Sequence, residues 1–347
     1  MGGGVAVRLD ALLSSSIAVG LLACAAEQTP SEPTSDATVA LTTAATYRIV
    51  DLGTLGGEVS EAYGINNGGQ VVGSSATASE GPHAFIWQDG VMTDLGTLGG
   101  AVSSAHGINA AGQVVGWSET ASGAIHAFLW QNGIMRDLGT LGGTHGAAWS
   151  INSEGQVVGR SNTAFQGWRA FIWQDGLMTR LVTLEKTNAR AFAINNAGHV
   201  VGGRRPKEMP EHAFLLKDGV LTDLGTLGGR GSLALGINND GKVVGGAQTA
   251  SGASHAFIWQ NGVMTDLGTL GGKSSGAHGI SPLGLVVGSS FTRDNLFRAF
   301  VWEHGVMTDL GTLGGGSYAQ AVNRAGWVVG GSETKSGDLH ATLWKPR

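Results

Sequence analysis

Seven tandem copies of a 43-residue unit, four strand signals in each copy and an incomplete copy at either end predict an all-β fold. Together they specify a seven-bladed β-propeller of four-stranded antiparallel blades, with an open β-solenoid as the structural alternative. The string DLGTLGG starts at Asp51, Asp94, Asp137, Asp223, Asp266 and Asp309, and the degenerate stretch RLVTL at 180–184 fills the one missing place. Glycine makes up 59 of 347 residues, more than twice the usual frequency of about 7%, as a chain built on tight turns requires.

Residues 1–23 read as a signal peptide of the lipoprotein type. Arg8 precedes an apolar run over residues 11–23, suited to a secretory segment and too short to span a bilayer. The run ends Leu21-Leu22-Ala23-Cys24, and Cys24 is the only cysteine of the chain, so no intrachain disulfide is possible. This ending resembles the lipobox of bacterial lipoproteins, which implies that Cys24 is acylated and becomes the first mature residue. Ala25 is not the Asp associated with inner-membrane retention in enteric bacteria. Residues 24–46, rich in Thr, Ser, Pro and Ala without apolar periodicity, read as a disordered tether.

Residues 47–347 hold the repeats. In the first copy the strand signals, A to D, are residues 62–66, 70–75, 83–87 and 90–96. The A–B link reads N-x-x-G, as from Asn66 to Gly69, which fits a type I turn ending on a left-handed glycine. The C–D link is Asp89-Gly90, Asn132-Gly133, Asp175-Gly176, Asp218-Gly219 or Asn261-Gly262, the favoured two-residue hairpin. The region opens on a lone D strand at 47–53 and closes on an A–B–C set ending at 340–344, so the first strand is expected to complete the last blade and leave no free edge. Small residues precede the A-strand Ile or Val (Gly64, Gly107, Ser150, Ala193), as suits the innermost strand of a crowded ring.

The third strand carries His-Ala-Phe at His83, His126, His212 and His255, His-Ala-Thr at His340, and Arg-Ala-Phe at Arg169 and Arg298. With G-I-N-x-x-G-x-V-V-G and DLGTLGG in fixed order, residues 47–347 resemble the HAF family of extracellular repeat proteins. The resemblance implies an exported bacterial protein and carries no catalytic residue or ligand with it. The fourth DLGTLGG place departs most, with Arg180 for Asp and Val182 for Gly.

The recurrent residues read as structural. Trp87, Trp130, Trp173, Trp259, Trp302 and Trp344 share one strand face with the triplet's first and third residues, with Ala on the other face, and are expected in the core between blades, where large packs against small. One His per blade is too dispersed for a metal cluster, so that column is expected to make structural hydrogen bonds. The repeated Asp is expected at a turn or strand end, and no metal or cofactor is expected. There is no G-x-S-x-G and no phosphate-loop lysine, and ten positions always separate the B-strand Gly from the triplet, leaving no inserted catalytic loop. Scattered loop carboxylates such as Glu80, Glu119, Asp294 and Glu333 occupy no recurring place. A formal net charge of −5 argues against nucleic-acid binding.

One sector departs from this uniformity. Between 160 and 207 lie Arg160, Arg169, Arg180, Lys186, Arg190, Arg204, Arg205 and Lys207 against only Asp175 and Glu185, a net +6 that leaves −11 for the rest. Trp168, Lys186, Arg190, Arg204, Arg205 and Lys207 form the candidate ligand site. Lys186 and Arg190 are expected on the connection into blade four, Arg204, Arg205 and Lys207 on its B–C loop, and Trp168 with Phe165 on the neighbouring B–C loop. The expected function is a monomeric, non-catalytic binding or adhesion module, either an outer-membrane lipoprotein or at the cell surface, taking an anionic polysaccharide or surface glycan. A multivalent glycan-binding lectin with one site per blade and a polysaccharide-acting propeller enzyme are the alternatives.

Overall fold

The structure, a computed structural model, describes residues 46–79, 81–165, 167–181, 188–206 and 210–347. Among them run twenty-eight strands, β1 to β28 in chain order, and no helix. In blade one, β2 (Gly56–Ile65), β3 (Val71–Thr77), β4 (Pro82–Gln88) and β5 (Val91–Asp94) pair consecutively in an antiparallel sheet. In blade seven, β26 (Ser317–Val322), β27 (Val328–Glu333) and β28 (Leu339–Pro346) are completed by β1 (Tyr47–Asp51), with Tyr47 opposite Pro346 and Asp51 opposite Thr342. The split blade is therefore real and the ring is closed, which excludes the solenoid. The A strand is longer than its signal, starting at Gly56, because Leu55 and Gly56 both reach across to Thr77.

Local chemistry explains why the copies are so alike. Asp89 (φ 50°) and Gly90 (φ 91°) both take the left-handed region, the geometry that lets a two-residue turn follow the twist of its strands. His304 (φ 49°) does the same in blade six without an Asp or Asn. The glycine of V-V-G has a different cause. A Cβ on Gly73 would lie 1.9 Å from the Glu61 carbonyl oxygen and 2.8 Å from the Phe85 ring, so the A-strand backbone and the triplet Phe leave room only for hydrogen.

The core is a ring of seven clusters, one at each seam between blades. Ala62, Val71, Phe85 and Trp87 of blade one pack on Val329, Ala341 and Leu343 of blade seven. On the opposite face Val72, Ala84 and Leu95 meet Ala105, Val114 and Phe128 of blade two. Large faces small across each seam, so the repeated tryptophans are core residues.

Two hydrogen-bond series tie the seams. Ser60 Oγ accepts the Ala341 amide of blade seven (2.8 Å) and donates to Gly53 O (2.6 Å), and Ser103, Ser232, Ser275 and Ser317 accept the matching amides of the blades before them. On the opposite rim, Asn66 Nδ2 donates to Asn109 O at 3.1 Å, and the series continues from Asn109, Asn152, Asn195 and Asn238. Asn323 closes the circle on Asn66 O at 3.2 Å. Ser281, in the remaining Asn position, spends its hydroxyl on the Leu283 and Leu285 amides of its own turn.

Candidate functional site

The described candidates, Trp168, Arg190, Arg204 and Arg205, lie at one rim, but on strands rather than loops. Arg190 belongs to the A strand β14 (Asn188–Ile194), and Arg204 and Arg205 end the B strand β15 (Val200–Arg205). Pairing of Asn188 with Arg205 and Ala189 with Arg204 carries the ladder past the V-V-G signal. Trp168 opens the C strand β12 (Trp168–Gln174), paired with Asn162, rather than lying on the loop before it. Phe165 does lie on that loop and is 97% exposed. Lys186, Lys207 and Cys24 lie outside the described residues.

Two of the cations are already neutralised. The Arg190 guanidinium grips Glu211, with Nη2 at 2.8 Å from Oε1 and 2.6 Å from Oε2. Arg204 Nη2 donates to Asp223 Oδ2 at 2.9 Å, and His212 Nδ1 lies 3.1 Å from the same oxygen. Burial opposes ionisation of Asp223, but the Gly225 amide, Arg204 and His212 outweigh it and hold the carboxyl below its usual range. Glu211 and Asp223 fall just beyond residue 207, so a charge count along the chain misses both.

Arg205 behaves differently. With Arg230 it lines an open groove of about 930 Å³ between blades four and five, whose walls include Pro210, Glu211, Leu233 and Gln248. Both arginines are exposed, and neither guanidinium has a carboxylate partner among the described residues. Arg230 was not a sequence candidate. It comes to Arg205 because the start of each A strand abuts the preceding blade's B–C connection, here through the Ser232 amide donating to Glu211 O at 3.0 Å.

A stack of rings and guanidiniums crosses the seam between blades three and four. Arg160 lies 4.4 Å from the Trp168 ring centre and 5.3 Å from that of Trp149. Trp149 packs on Phe192 with centroids 4.8 Å apart, and Arg190 lies 5.3 Å from the Phe192 centroid. Burial, and then the charge of Arg190, push the Arg160 pKa down to about 10, so it stays cationic at neutral pH. The sequence pointed to Trp168 and Arg190; Trp149 and Phe192 carried a signal too, as bulky residues beside a small Ser or Ala in an otherwise repetitive strand.

The His and Asp columns prove to be partners. Nδ1 of His83, His126, His212, His255 and His340 lies 2.7–3.1 Å from a carboxylate oxygen of Asp94, Asp137, Asp223, Asp266 and Asp51 respectively. Each aspartate also accepts the amide of the glycine two residues on, fixing the turn into the next blade. In blade three both places hold arginine, Arg169 and Arg180. Among the described residues no group of three or more His, Cys, Asp or Glu converges to hold a metal ion.

No family model and no curated protein sequence matches the chain. Solved structures do. The chain is similar to the β-propeller domain of the Trilobed protease from Pyrococcus furiosus (9% identity, TM-score 0.56, covering 82% of this chain and 95% of that one). It is similar to acylaminoacyl peptidase from Pyrococcus horikoshii (12%, TM-score 0.55, 86% and 53%) and to TolB from Acinetobacter baumannii (13%, TM-score 0.50, 80% and 63%). The chain thus spans between half and two thirds of the length of the last two. At these identities the likeness shows the fold, a β-propeller, and the fold alone. The Pyrococcus furiosus domain is described as having an open velcro topology, whereas here β1 pairs with β28.

Proposed function

We propose that this chain is a non-catalytic binding module, exported and anchored to a membrane through acylation of Cys24, that takes acidic polysaccharide in the groove between blades four and five. The observation that carries the reading is the pair Arg205 and Arg230, exposed, without carboxylate partners among the described residues, and facing one groove. A guanidinium presents a planar fork of donors that matches a carboxylate or sulfate, and at an exposed site its charge is open to a ligand. The resemblance to the HAF repeat family and the sequence ending at Cys24 support export.

Titration of the protein with polygalacturonate tests the groove. Binding is expected to weaken steeply with salt, since exposed charges are screened beyond about 8 Å at physiological ionic strength. Changing Arg205→Ser together with Arg230→Ser is expected to abolish it and leave the melting temperature unchanged. Undiminished binding in that double variant refutes the site. Mass spectrometry of the mature protein tests the anchor; a mature form carrying an unmodified Cys24 refutes it.

A further inference from the structure

Turns and seams repeat almost residue for residue, but one position of the A strand differs nearly everywhere: Tyr63 is replaced in turn by His106, Trp149, Phe192, Leu235, His278 and Gln320. Two residues earlier, Glu61 gives way to Arg190 in blade four and Tyr318 in blade seven. None of these side chains belongs to a buried seam cluster. They lie on the seven innermost strands, which adjoin one another round the ring, so they border the central channel.

The polar groups there engage one another across the seams. The Tyr63 and His106 rings stack at 4.8 Å, and Trp117 Nε1 donates to His106 Nε2 at 3.1 Å. His278 Nδ1 donates to Ala319 O at 2.8 Å. The Tyr63 hydroxyl donates to the Glu61 carboxylate, to which Tyr318 also hydrogen-bonds. Burial pulls the His106 pKa down to about 4 and lowers that of His278 as well, so both imidazoles are neutral at physiological pH. Burial, then the Glu61 charge, raises both phenols, which stay protonated.

The bonds fix what is left over. With Nε2 of His106 accepting, its Nδ1 carries the proton and is a donor; with Nδ1 of His278 donating, its Nε2 is an acceptor. Glu61 accepts from two phenols, which hold its carboxylate in place without neutralising it, and Arg190 is ion-paired with Glu211. The wall therefore combines the aromatic rings of Trp149 and Phe192, flanked by Arg160 and Arg190, with the fixed neutral donors and acceptors of His106 and His278 and the phenol-bound carboxylate of Glu61. Aromatic faces pack on apolar C–H surfaces, and fixed neutral polar groups match hydroxyls without demanding charge.

We infer that the central channel is a second binding site, separate from the groove, for a neutral saccharide unit. Its asymmetry makes it a single site per ring, not one per blade. The test is calorimetric titration of the full chain with maltohexaose, cellohexaose and chitohexaose in about 0.5 M salt, where groove electrostatics are screened to a few ångströms. At least one oligosaccharide is expected to bind with a dissociation constant in the range of about 1 mM or tighter. Trp149→Leu and His106→Gln are each expected to weaken it about tenfold, the effect of losing one good contact, at an unchanged fold by circular dichroism. The Arg205→Ser, Arg230→Ser variant is expected to bind these sugars as the parent does, which separates this site from the groove. Absence of binding by all three sugars, or parental affinity in both channel variants, overturns the inference.

Discussion

Asn323 closes the belt of asparagines, and its replacement measures what a seam bond contributes. It is 4% exposed, its Oδ1 accepts the Ala325 and Trp327 amides at 3.0 Å each, and its Nδ2 donates to Asn66 O at 3.2 Å across the seam between the last and first blades. Asn323→Ala deletes all three bonds, and at about 1 kcal/mol each the expected loss is about 3 kcal/mol. The chain contains its own control. Ser281 holds the two amides of the equivalent turn, at 3.2 and 3.0 Å, with a hydroxyl alone. Asn323→Ser should therefore keep the turn and lose only the seam bond, about 1 kcal/mol. Urea titration at constant m-value reads both differences, and in a thermal melt each kcal/mol is worth about 2–4 °C for a domain of roughly this size. A serine variant as unstable as the alanine variant, or an alanine variant as stable as the parent, refutes this apportioning.

Two further outcomes are expected. A chain beginning at Gly57 lacks β1 and the buried Leu52 and leaves the outer edge of β28 open, with β27 still paired on its other side; it should lose at least about 4 kcal/mol from one buried leucine and a set of ladder bonds, and a melt matching the parent's would rule out the closure described here. His106 has a pKa of about 4 in the folded protein against about 6.5 when unfolded. The unfolded state thus binds the extra proton first, so stability is full above pH 6.5 and falls as the pH drops towards 4, by up to about 3 kcal/mol. His106→Gln, which keeps an acceptor for Trp117, should shrink that acid loss, and an unchanged pH profile would contradict a neutral, buried imidazole.

What was legible in the chain follows from what is local. The hairpins at Asp89-Gly90 and Asn66 to Gly69 are short-range and come directly from residue types, and the tryptophan core follows from alternation within one strand. Closure was legible because the repeat count left a lone D strand at the start and a three-strand A–B–C set at the end. The site was less so. Arg190 and Arg204 look like free cations until Glu211 and Asp223 are placed beside them by strand pairing, and Arg230 joins Arg205 from the next blade. The same relation hides the serine staples: Ser60 recurs as Ser103, Ser232, Ser275 and Ser317, but its partner, the Ala341 amide, belongs to another blade. Side chains that act across a seam carry no marker in their own repeat.

The serine series has gaps, and they fall together: Gly146 and Ala189 stand in its place in blades three and four, at the seams on either side of blade three, where the aspartate of the His–Asp pair is also Arg180. The pairing that completes the ring, by contrast, joins residues as far apart as His340 and Asp51, 289 positions along the chain. Bringing such distant points together carries a chain entropy of about 5 kcal/mol, against about 3 for partners one repeat apart, so the closing ladder gains its footing only after the other blades have shortened the gap. Order of assembly is thereby constrained. Blades can form one after another as the polypeptide becomes available, but β28, the partner of β1, is the last strand to appear. Until then the growing array carries an unsatisfied edge at each side, and a chain interrupted anywhere before residue 339 is left in that same open condition, however many of its blades are sound.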